Sequence, residues 1–394
     1  MIYSLKKDIV FVRGACRGAI YNFDNGKVYS LSERATSSVY KLCINDCLTD
    51  SDRTIIDNIL KYLNIINIRP TKYIQRKRPK SLKFAWLEIT QVCNYRCLHC
   101  YEGNVHCEPQ SALTEADWIS VLDQLENCGC EGVQFIGGEP TTVLYLSTLI
   151  KHAHKIGLKN IEIFSNLSKL SNDLLETIIQ NKVTVKFSIY GSNPEVHDKI
   201  TQNHNSFNTL IANVQKMKKL GVPLKGNIVI MKENEHDFEN IKRLLDDMEI
   251  RNRHYDEIRK VPGSIQSPHL PENEHLLFTK PNFSISKEKF ERAFEGNTCW
   301  NGKFAVSTDG KVLPCVFERN VSYGNVKYQQ IEDILSNRVL NEYWSLTFDF
   351  IDQCNCCEYR FACFDCRPLA YSANNERFSK NPRCKYNPDI GLWE

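Results

Sequence analysis

Ten of the seventeen cysteines fall into two arrays, and these arrays constrain the fold more than any other feature of the sequence. The first array is Cys93, Cys97 and Cys100. The second lies near the end of the chain and contains Cys299, Cys315, Cys354, Cys357, Cys363, Cys366 and Cys384. Thiolates at such intervals are typical of iron–sulfur clusters. The chain is therefore expected to gather these thiols around metal.

The first array has three thiols and no fourth nearby in the sequence. A cubane cluster has four irons, so one iron would remain open to bind a small molecule. The alternative is a structural zinc site, but zinc takes four protein ligands and often uses C-x2-C pairs. The spacing therefore favours a cluster with one open iron.

Charge and composition exclude several classes of protein. Fifty basic and forty-seven acidic side chains leave a formal charge of +3, which gives no argument for a nucleic-acid partner. The only early apolar run, Ile9 to Val12, is too short for a signal peptide, and no segment is long enough to span a bilayer. Seventeen cysteines then indicate metal or redox chemistry in the cytoplasm rather than a disulfide framework.

Residues 84–262 alternate between short β-rich runs and amphipathic helical stretches. The pattern predicts strands at 84–90, 132–136, 160–164, 184–189, 224–231 and 256–261, and helices at 114–127, 143–155, 172–181, 207–220 and 238–248. Such an alternation permits an open doubly wound sheet or a partial (β/α)6 barrel, and the cysteine motif favours the barrel. Ligands of parallel folds bind at the carboxyl ends of strands, where Cys93 follows the first strand.

Two segments carry a family resemblance. One runs from Leu87 through the three cysteines to Tyr101, with the aromatic ring of His99 just before the third cysteine. The other is Gly137-Gly138-Glu139-Pro140, where glycines let the backbone approach a ligand and a carboxylate can face an ammonium group. Together they resemble the radical S-adenosylmethionine (SAM) superfamily. By itself the second segment would indicate only a turn.

The resemblance implies that SAM chelates the open iron and is cleaved to a 5′-deoxyadenosyl radical, with the electron coming from a donor such as flavodoxin or ferredoxin. It also implies SAM-binding roles for His99, Tyr101, Gly137, Gly138, Glu139, Pro140, Ser165, Asn166 and Ser188. Relatives carry an arginine after a His-Asp pair, but here Thr201 and Gln202 follow His197-Asp198. No partner for the SAM carboxylate is therefore assigned. Loop capping is the alternative role of Ser165, Asn166 and His197.

The terminal array resembles the SPASM domain, which holds up to two auxiliary [4Fe–4S] clusters. Asp309-Gly310 predicts a hairpin between Phe304–Ser307 and Lys311–Pro314. The resemblance assigns Cys299, Cys315 and Cys366 to auxiliary cluster I, and Cys354, Cys357, Cys363 and Cys384 to auxiliary cluster II. A further cysteine of relatives is missing before Cys299, so the fourth site of cluster I would bind substrate, Cys356 or a non-cysteine ligand. A pair of zinc ribbons is the alternative.

The first seventy residues lack the βα alternation. They predict strands at Ile9–Val12, Gly18–Phe23 and Lys27–Leu31, and then helices at Ser32–Leu42 and Ser51–Leu63. This order resembles the winged-helix-like domains of ribosomal-peptide maturases, which capture a leader peptide as an added strand. A cap that merely shields the barrel is the alternative.

The predicted organisation is an α/β fold in five segments. They are a winged-helix-like peptide-recognition domain (1–70), a basic linker (71–83), the radical SAM partial barrel (84–262), a bridging region (263–298) and the SPASM domain (299–394).

The expected function is that of a radical SAM/SPASM enzyme with one core and two auxiliary clusters. Its partner would be a ribosomally made precursor peptide with a leader, in which it installs a cross-link or related modification. The alternatives are an anaerobic sulfatase-maturating enzyme that forms formylglycine, and a non-catalytic peptide- or zinc-binding protein. RNA modification would need a basic surface beyond residues 69–83. The sequence names no catalytic acid or base.

Overall fold

The protein is described from a computed structural model, which describes residues 1–66, 68–73, 81–103, 107–251, 253–258, 267–272, 279–374, 376 and 378–393. The chain divides into two compact units. The sheet unit comprises Met1–Pro79, Phe278–Asn301 and Tyr343–Glu394. The barrel unit comprises Lys80–Leu277 and Gly302–Glu342. The division into two units does not test the five segments predicted from the sequence, which stay a prediction.

The strands and helices follow one another along the chain in this order: β1 (Ile2–Lys6), β2 (Ile9–Arg13), β3 (Gly18–Asn22), β4 (Lys27–Leu31), α1 (Glu33–Cys43), α2 (Asp50–Tyr62), β5 (Thr71–Lys72), β6 (Phe84–Thr90), α3 (Glu115–Asn127), β7 (Gly132–Gly137), α4 (Leu146–Lys155), β8 (Asn160–Ser165), α5 (Asn172–Gln180), β9 (Thr184–Ile189), α6 (Pro194–Thr201), α7 (Ser206–Lys219), β10 (Leu224–Ile230), α8 (Phe238–Asp247), β11 (Arg253–Glu257), α9 (Lys287–Glu295), β12 (Lys303–Val306), β13 (Lys311–Leu313), β14 (Gly324–Asn325), α10 (Ile331–Leu335), α11 (Arg338–Ser345), α12 (Arg367–Asn374), β15 (Tyr386–Asn387) and β16 (Leu392–Trp393).

The barrel unit is built on a sheet whose described strands lie in the order β11-β10-β9-β8-β7-β6-β12-β13-β14. Strands β6 to β11 pair in parallel, as the βα alternation predicts. Helix α3 begins after Thr114, whose hydroxyl and Asp117 form a reciprocal capping box. Because the strands are parallel, the carboxyl ends of β6, β7, β8 and β9 meet at one edge of the sheet. The predicted site residues follow the strands at that edge.

The barrel unit differs from the prediction at β11, α6 and the hairpin around Asp309-Gly310, and β14 and α10 were not predicted either. Strand β11 begins at Arg253, three residues before the predicted start, and the predicted end at 259–261 lies outside the described residues. Helix α6 was not predicted. The hairpin predicted around Asp309-Gly310 forms, but its first strand, β12, pairs in parallel with β6. Phe304 and Val306 are fully buried, and this apolar character explains how the hairpin extends the barrel sheet.

The sheet unit contains an antiparallel sheet in the order β4-β3-β2-β1-β5. The three predicted strands are present, as are both helices, while β1 and β5 were not predicted. Ser32 caps α1, and Thr49 and Asp52 form a capping box on α2. The sequence therefore determines the local structure of this sheet well.

Both faces of this sheet are covered, which the sequence analysis missed. On one face, Ile9 and Phe11 pack in a core with residues of α1. On the other, Val10 and Val12 pack in a core with Phe290 of α9 and with Phe361, between two cysteines of the terminal array. The run of four apolar residues in β2, all of them buried, was the available signal, since a strand with one face in water would alternate apolar and polar residues. The cysteine-rich segment is thus built onto the N-terminal sheet.

Among the helices in the described ranges, none combines the length and apolar character that crossing a bilayer requires.

Candidate active site

The first cysteine array lies in the loop that follows β6. Burial raises the pKa of Cys93 to about 11, and the nearby Glu139 and Cys100 raise it further. Burial also raises the pKa of Cys97, with Cys93 and Cys100 as further causes. The three thiols therefore share one half-buried neighbourhood. Thiols of this kind lose their protons on binding metal, so the donor set fits an iron–sulfur cluster.

The Gly137–Pro140 loop is held directly against the cysteine loop. Gly138 donates its N–H to the carbonyl of Thr90 (2.7 Å), and Glu139 donates to the carbonyl of Val92 (2.9 Å). A Cβ on Gly138 would lie 2.2 Å from the Val92 oxygen, and one on Gly137 would lie 2.1 Å from the Thr90 oxygen. Neither position tolerates a side chain without displacing the backbone. Two predicted binding segments are thus fixed to each other.

The carboxyl group of Glu139 is buried and organises its surroundings. It accepts hydrogen bonds from the Ser165 hydroxyl (2.6 Å), the Asn166 N–H (2.6 Å) and the Thr141 hydroxyl (2.6 Å). Burial raises its pKa. Asn166 in turn donates from Nδ2 to Asn94 (3.1 Å), beside Cys93. Glu139 therefore positions Ser165 and Asn166 next to the cysteine loop, and their SAM-binding roles remain a proposal.

The aromatic residues around the third cysteine pack closely. The His99 ring lies 4.6 Å from that of Tyr190, centroid to centroid, and burial lowers the pKa of His99 to about 4. His99 is therefore neutral near pH 7. Ser188, on β9, hydrogen-bonds the Tyr190 side chain. Pro140 is buried at the start of a single 3-10 turn.

The His197-Asp198 pair serves local structure. His197 accepts the Tyr190 N–H through Nδ1 (3.2 Å). Asp198 accepts the N–H groups of Asn205 (2.6 Å) and Phe207 (2.8 Å) at the start of α7. These contacts agree with the capping alternative considered for His197.

A buried charge cluster beside Tyr101 was missed by sequence reasoning. Arg319 donates to Glu88 of β6 (2.6 Å) and also to Glu102, and the Tyr101 hydroxyl lies 3.4 Å from Glu88. Burial raises the pKa of Glu88 to about 8, with Glu102 as a further cause. More than two hundred residues separate Arg319 from Glu88 in sequence, so no local pattern could reveal this contact.

Four cysteines of the terminal array share a neighbourhood in the sheet unit. Burial raises the pKa of Cys363, and the thiols of Cys357, Cys354 and Cys384 raise it further. Among the described residues, no group of three His, Cys, Asp or Glu side chains has the arrangement of a single-ion site. Soft thiols clustered in this way suit the proposed auxiliary cluster II.

Cys299 and Cys366 lie in loops of the sheet unit that one buried residue ties together. Asn297 accepts the Cys299 N–H through Oδ1 (2.9 Å) and donates through Nδ2 to Asp365 (2.9 Å). The Asp365 N–H donates to the Thr298 hydroxyl (2.9 Å). Cys315, the third cysteine proposed for auxiliary cluster I, belongs to the barrel unit.

The cysteines outside the two arrays differ in burial. Cys43 and Cys130 are buried, whereas Cys47 and Cys107 are exposed. Cys356, considered as a fourth ligand of cluster I, has its Sγ 3.2 Å from the carbonyl oxygen of Gln353. That ligand role remains untested.

Comparison with known proteins identifies two domains. The model of the radical SAM superfamily matches residues 87–245, and that of the SPASM iron–sulfur cluster-binding domain matches residues 299–358. A heme synthase of Methanosarcina barkeri that depends on S-adenosylmethionine is 24% identical over 77% of this chain and 96% of its own length. The PqqA peptide cyclase of Bradyrhizobium diazoefficiens is 24% identical over 77% of this chain and 86% of its own.

Among solved structures, Streptococcus suis SuiB bound to its precursor peptide SuiA has a similar fold. The TM-score is 0.62 at 14% identity, and the match covers 97% of this chain and 100% of SuiB.

Proposed function

Because the chain belongs to the radical SAM enzymes that carry a SPASM domain, we propose that it modifies a ribosomally made precursor peptide by installing a radical-derived cross-link or related change. The observation that carries the proposal is the cysteine loop fixed against the Gly137–Pro140 loop at the carboxyl ends of neighbouring parallel strands. The SuiB-like fold over nearly the whole chain and the relative that cyclises a peptide support a peptide substrate.

Each part of the site has a proposed task. Cys93, Cys97 and Cys100 hold the core [4Fe–4S] cluster. When bound, the cluster and SAM supply a 5′-deoxyadenosyl radical that abstracts hydrogen from the peptide. The glycines of the Gly137–Pro140 loop fix where SAM lies, and Glu139 aligns Ser165 and Asn166. Neutral His99 adds no charge beside the thiols. The auxiliary-cluster cysteines hold centres that accept an electron or bind substrate.

The N-terminal sheet is the proposed leader-binding element. Its edge strand β4 is already engaged, because Val28 donates to the Phe283 carbonyl (3.0 Å) and Ile285 donates to the Gly26 carbonyl (2.8 Å). An added leader strand must displace residues 283–285 or pair at the other edge, β5, whose two residues are exposed. We propose that the enzyme works in the cytoplasm with flavodoxin or ferredoxin as electron donor.

A second candidate function follows from the heme synthase relative, which matches almost its full length to this chain. A tetrapyrrole substrate would leave the N-terminal sheet without a task in substrate capture. Formylglycine formation in a sulfatase remains a further alternative.

The test is to incubate the anaerobically reconstituted enzyme with SAM, a reductant and short peptides encoded beside its gene. We expect 5′-deoxyadenosine to form and one peptide to lose two hydrogen atoms, as read by mass spectrometry. Removal of the peptide's leader should abolish the modification. SAM cleavage with no modified peptide, but with turnover of an iron porphyrin, would contradict the proposal and establish the second candidate.

A further inference from the structure

The barrel sheet has an apolar face toward its helices and an inner face that carries several polar side chains beside an apolar cluster that includes Ile136 and Phe164. On β10, a Cβ on Gly226 would lie 3.3 Å from Leu245 of α8, so Gly226 faces the helices. Lys225 and Asn227, on either side of it, therefore face inward. On β9, Phe187 also lies next to Gly226 on the helical side, which turns Lys186 and Ser188 inward.

A charged row crosses this inner face on four neighbouring strands. Gln134 of β7 donates to Glu162 of β8 (2.7 Å), and Lys186 of β9 forms an ion pair with Glu162 (2.6 Å). Lys225 of β10 is the register partner of Lys186. The side chains of Lys186 and Glu162 are both 19% exposed, so solvent reaches this row. One carboxylate thus faces two ammonium groups.

Lys225 shares the one carboxylate of the row, Glu162, with Lys186. It has no hydrogen-bond or ion-pair partner in the part of the chain that the structure describes. Burial lowers its pKa and the neighbouring Lys186 lowers it further, while the charge of Glu162 opposes this shift. An anion placed here would stabilise the ammonium form of Lys225 and relieve its repulsion with Lys186.

Asn227 provides an independent sign of a ligand. Only 7% of it is exposed, and its Oδ1 has no hydrogen-bond partner among the described residues. An amide oxygen accepts hydrogen bonds, so the unpartnered Oδ1 calls for an N–H group of a ligand or for water, whereas Nδ2 of the same side chain is the group that can donate to a carboxylate. Asn227 pairs in register with Ser188, so an amide and a hydroxyl lie two residues along the strands from the two ammonium groups.

We propose that Lys225 and the Nδ2 of Asn227, with Lys186 and Ser188 beside them, bind a carboxylate of the substrate, and hence that the peptide contains an acidic residue away from the carbon that reacts. The inference rests on the proposed function and names the substrate's chemistry. The methionyl carboxylate of SAM is the other possible source. Lys225 lies five residues before the end of β10, or about 16 Å at roughly 3.3 Å per residue. This places it away from the edge where the cysteine loop lies.

The test compares capped glutamate with capped glutamine as probes of the reconstituted holoenzyme with SAM bound. We expect glutamate to bind at least about tenfold more tightly, the usual size of a charge-assisted hydrogen bond. The Lys225→Met variant should lose this preference, and Lys225→Arg should retain it. Lys219→Gln, on the outer helix α7, is the matched control and should also retain it. If Lys225→Met does not fold, Asn227→Ala replaces it as the test variant, and we expect it to weaken glutamate binding.

Three results would overturn the inference. The first is equal binding of the two probes by the native enzyme. The second is a preference for glutamate that survives in Lys225→Met. The third is a Lys225→Met variant that keeps the preference for glutamate but binds SAM more weakly. The last result would assign Lys225 to SAM. If the preference depends on Lys225 but no peptide is ever modified, the carboxylate site stands and the proposed function fails. If neutral peptides are modified as fast as acidic ones, the carboxylate site fails and the proposed function stands.

Discussion

Replacing Gly138 with alanine is expected to lower the rate of SAM cleavage at least about a hundredfold, since displacing a reacting group by about 1 Å has that effect. The new Cβ would lie 2.2 Å from the Val92 oxygen, so the Gly137–Pro140 loop must move away from the cysteine loop. The 2.7 Å hydrogen bond from Gly138 to Thr90 would then be lost. The rate of 5′-deoxyadenosine formation in the reconstituted enzyme is the measurement.

The matched control is Gly226→Ala in the same sheet. There the added Cβ meets the flexible end of Leu245 at 3.3 Å rather than a carbonyl group. We expect this variant to cleave SAM at close to the native rate. Equal rates for Gly138→Ala and the native enzyme would show that the contact between the two loops does not position SAM.

Replacing Arg319 with methionine is expected to destabilise the folded protein by about 3–5 kcal/mol near pH 8, the usual cost of leaving a buried charge without its partner. Arg319 is the cation that both Glu88 and Glu102 contact, and the side chains of these carboxylates are only 2% and 6% exposed. The unfolding midpoint of the anaerobic holoenzyme measures the effect. Arg338→Met is the control, because the Arg338 side chain is 92% exposed and its ion pair with Glu342 contributes little.

The stability of the Arg319→Met variant should depend on pH, because the folded and unfolded states bind different numbers of protons. Burial raises the folded-state pKa of Glu88 to about 8, above its ordinary value of 4.5. The folded state therefore holds more protons than the unfolded state between these values, and stability falls as the pH rises through them. Without Arg319 the pKa of Glu88 rises further. The variant should therefore lose more stability, relative to the native protein, near pH 8 than near pH 6. A loss that shrinks as the pH rises would contradict this assignment.

The sequence predicted the barrel and the core site well because their signals are local. The alternation of β6 to β10 with helices α3, α4, α5, α7 and α8 follows from periodicity, and the boundaries agree within a few residues. The cysteine loop and the Gly137–Pro140 loop each lie within a few consecutive residues. Their meeting follows from adjacent parallel strands, whose carboxyl ends share an edge.

What the sequence did not predict depends on contacts between distant segments. Arg319 contacts Glu88 and Glu102, and β12, which precedes it in the chain, pairs with β6, the strand that contains Glu88. Phe290 and Phe361 cover the second face of the N-terminal sheet from far along the chain. The polar inner face at Lys225 required knowing which way β10 faces. The unbroken apolar run in β2 was a local hint that could have been used.

The most direct test of the account is the iron content of the anaerobically reconstituted chain, resolved by Mössbauer spectroscopy and compared with a variant in which Cys93, Cys97 and Cys100 are all alanine. We expect about twelve irons per chain in the native protein and about eight in the variant, for one core and two auxiliary cubanes. About four irons falling to none would contradict it, because the terminal cysteines would then hold no cluster.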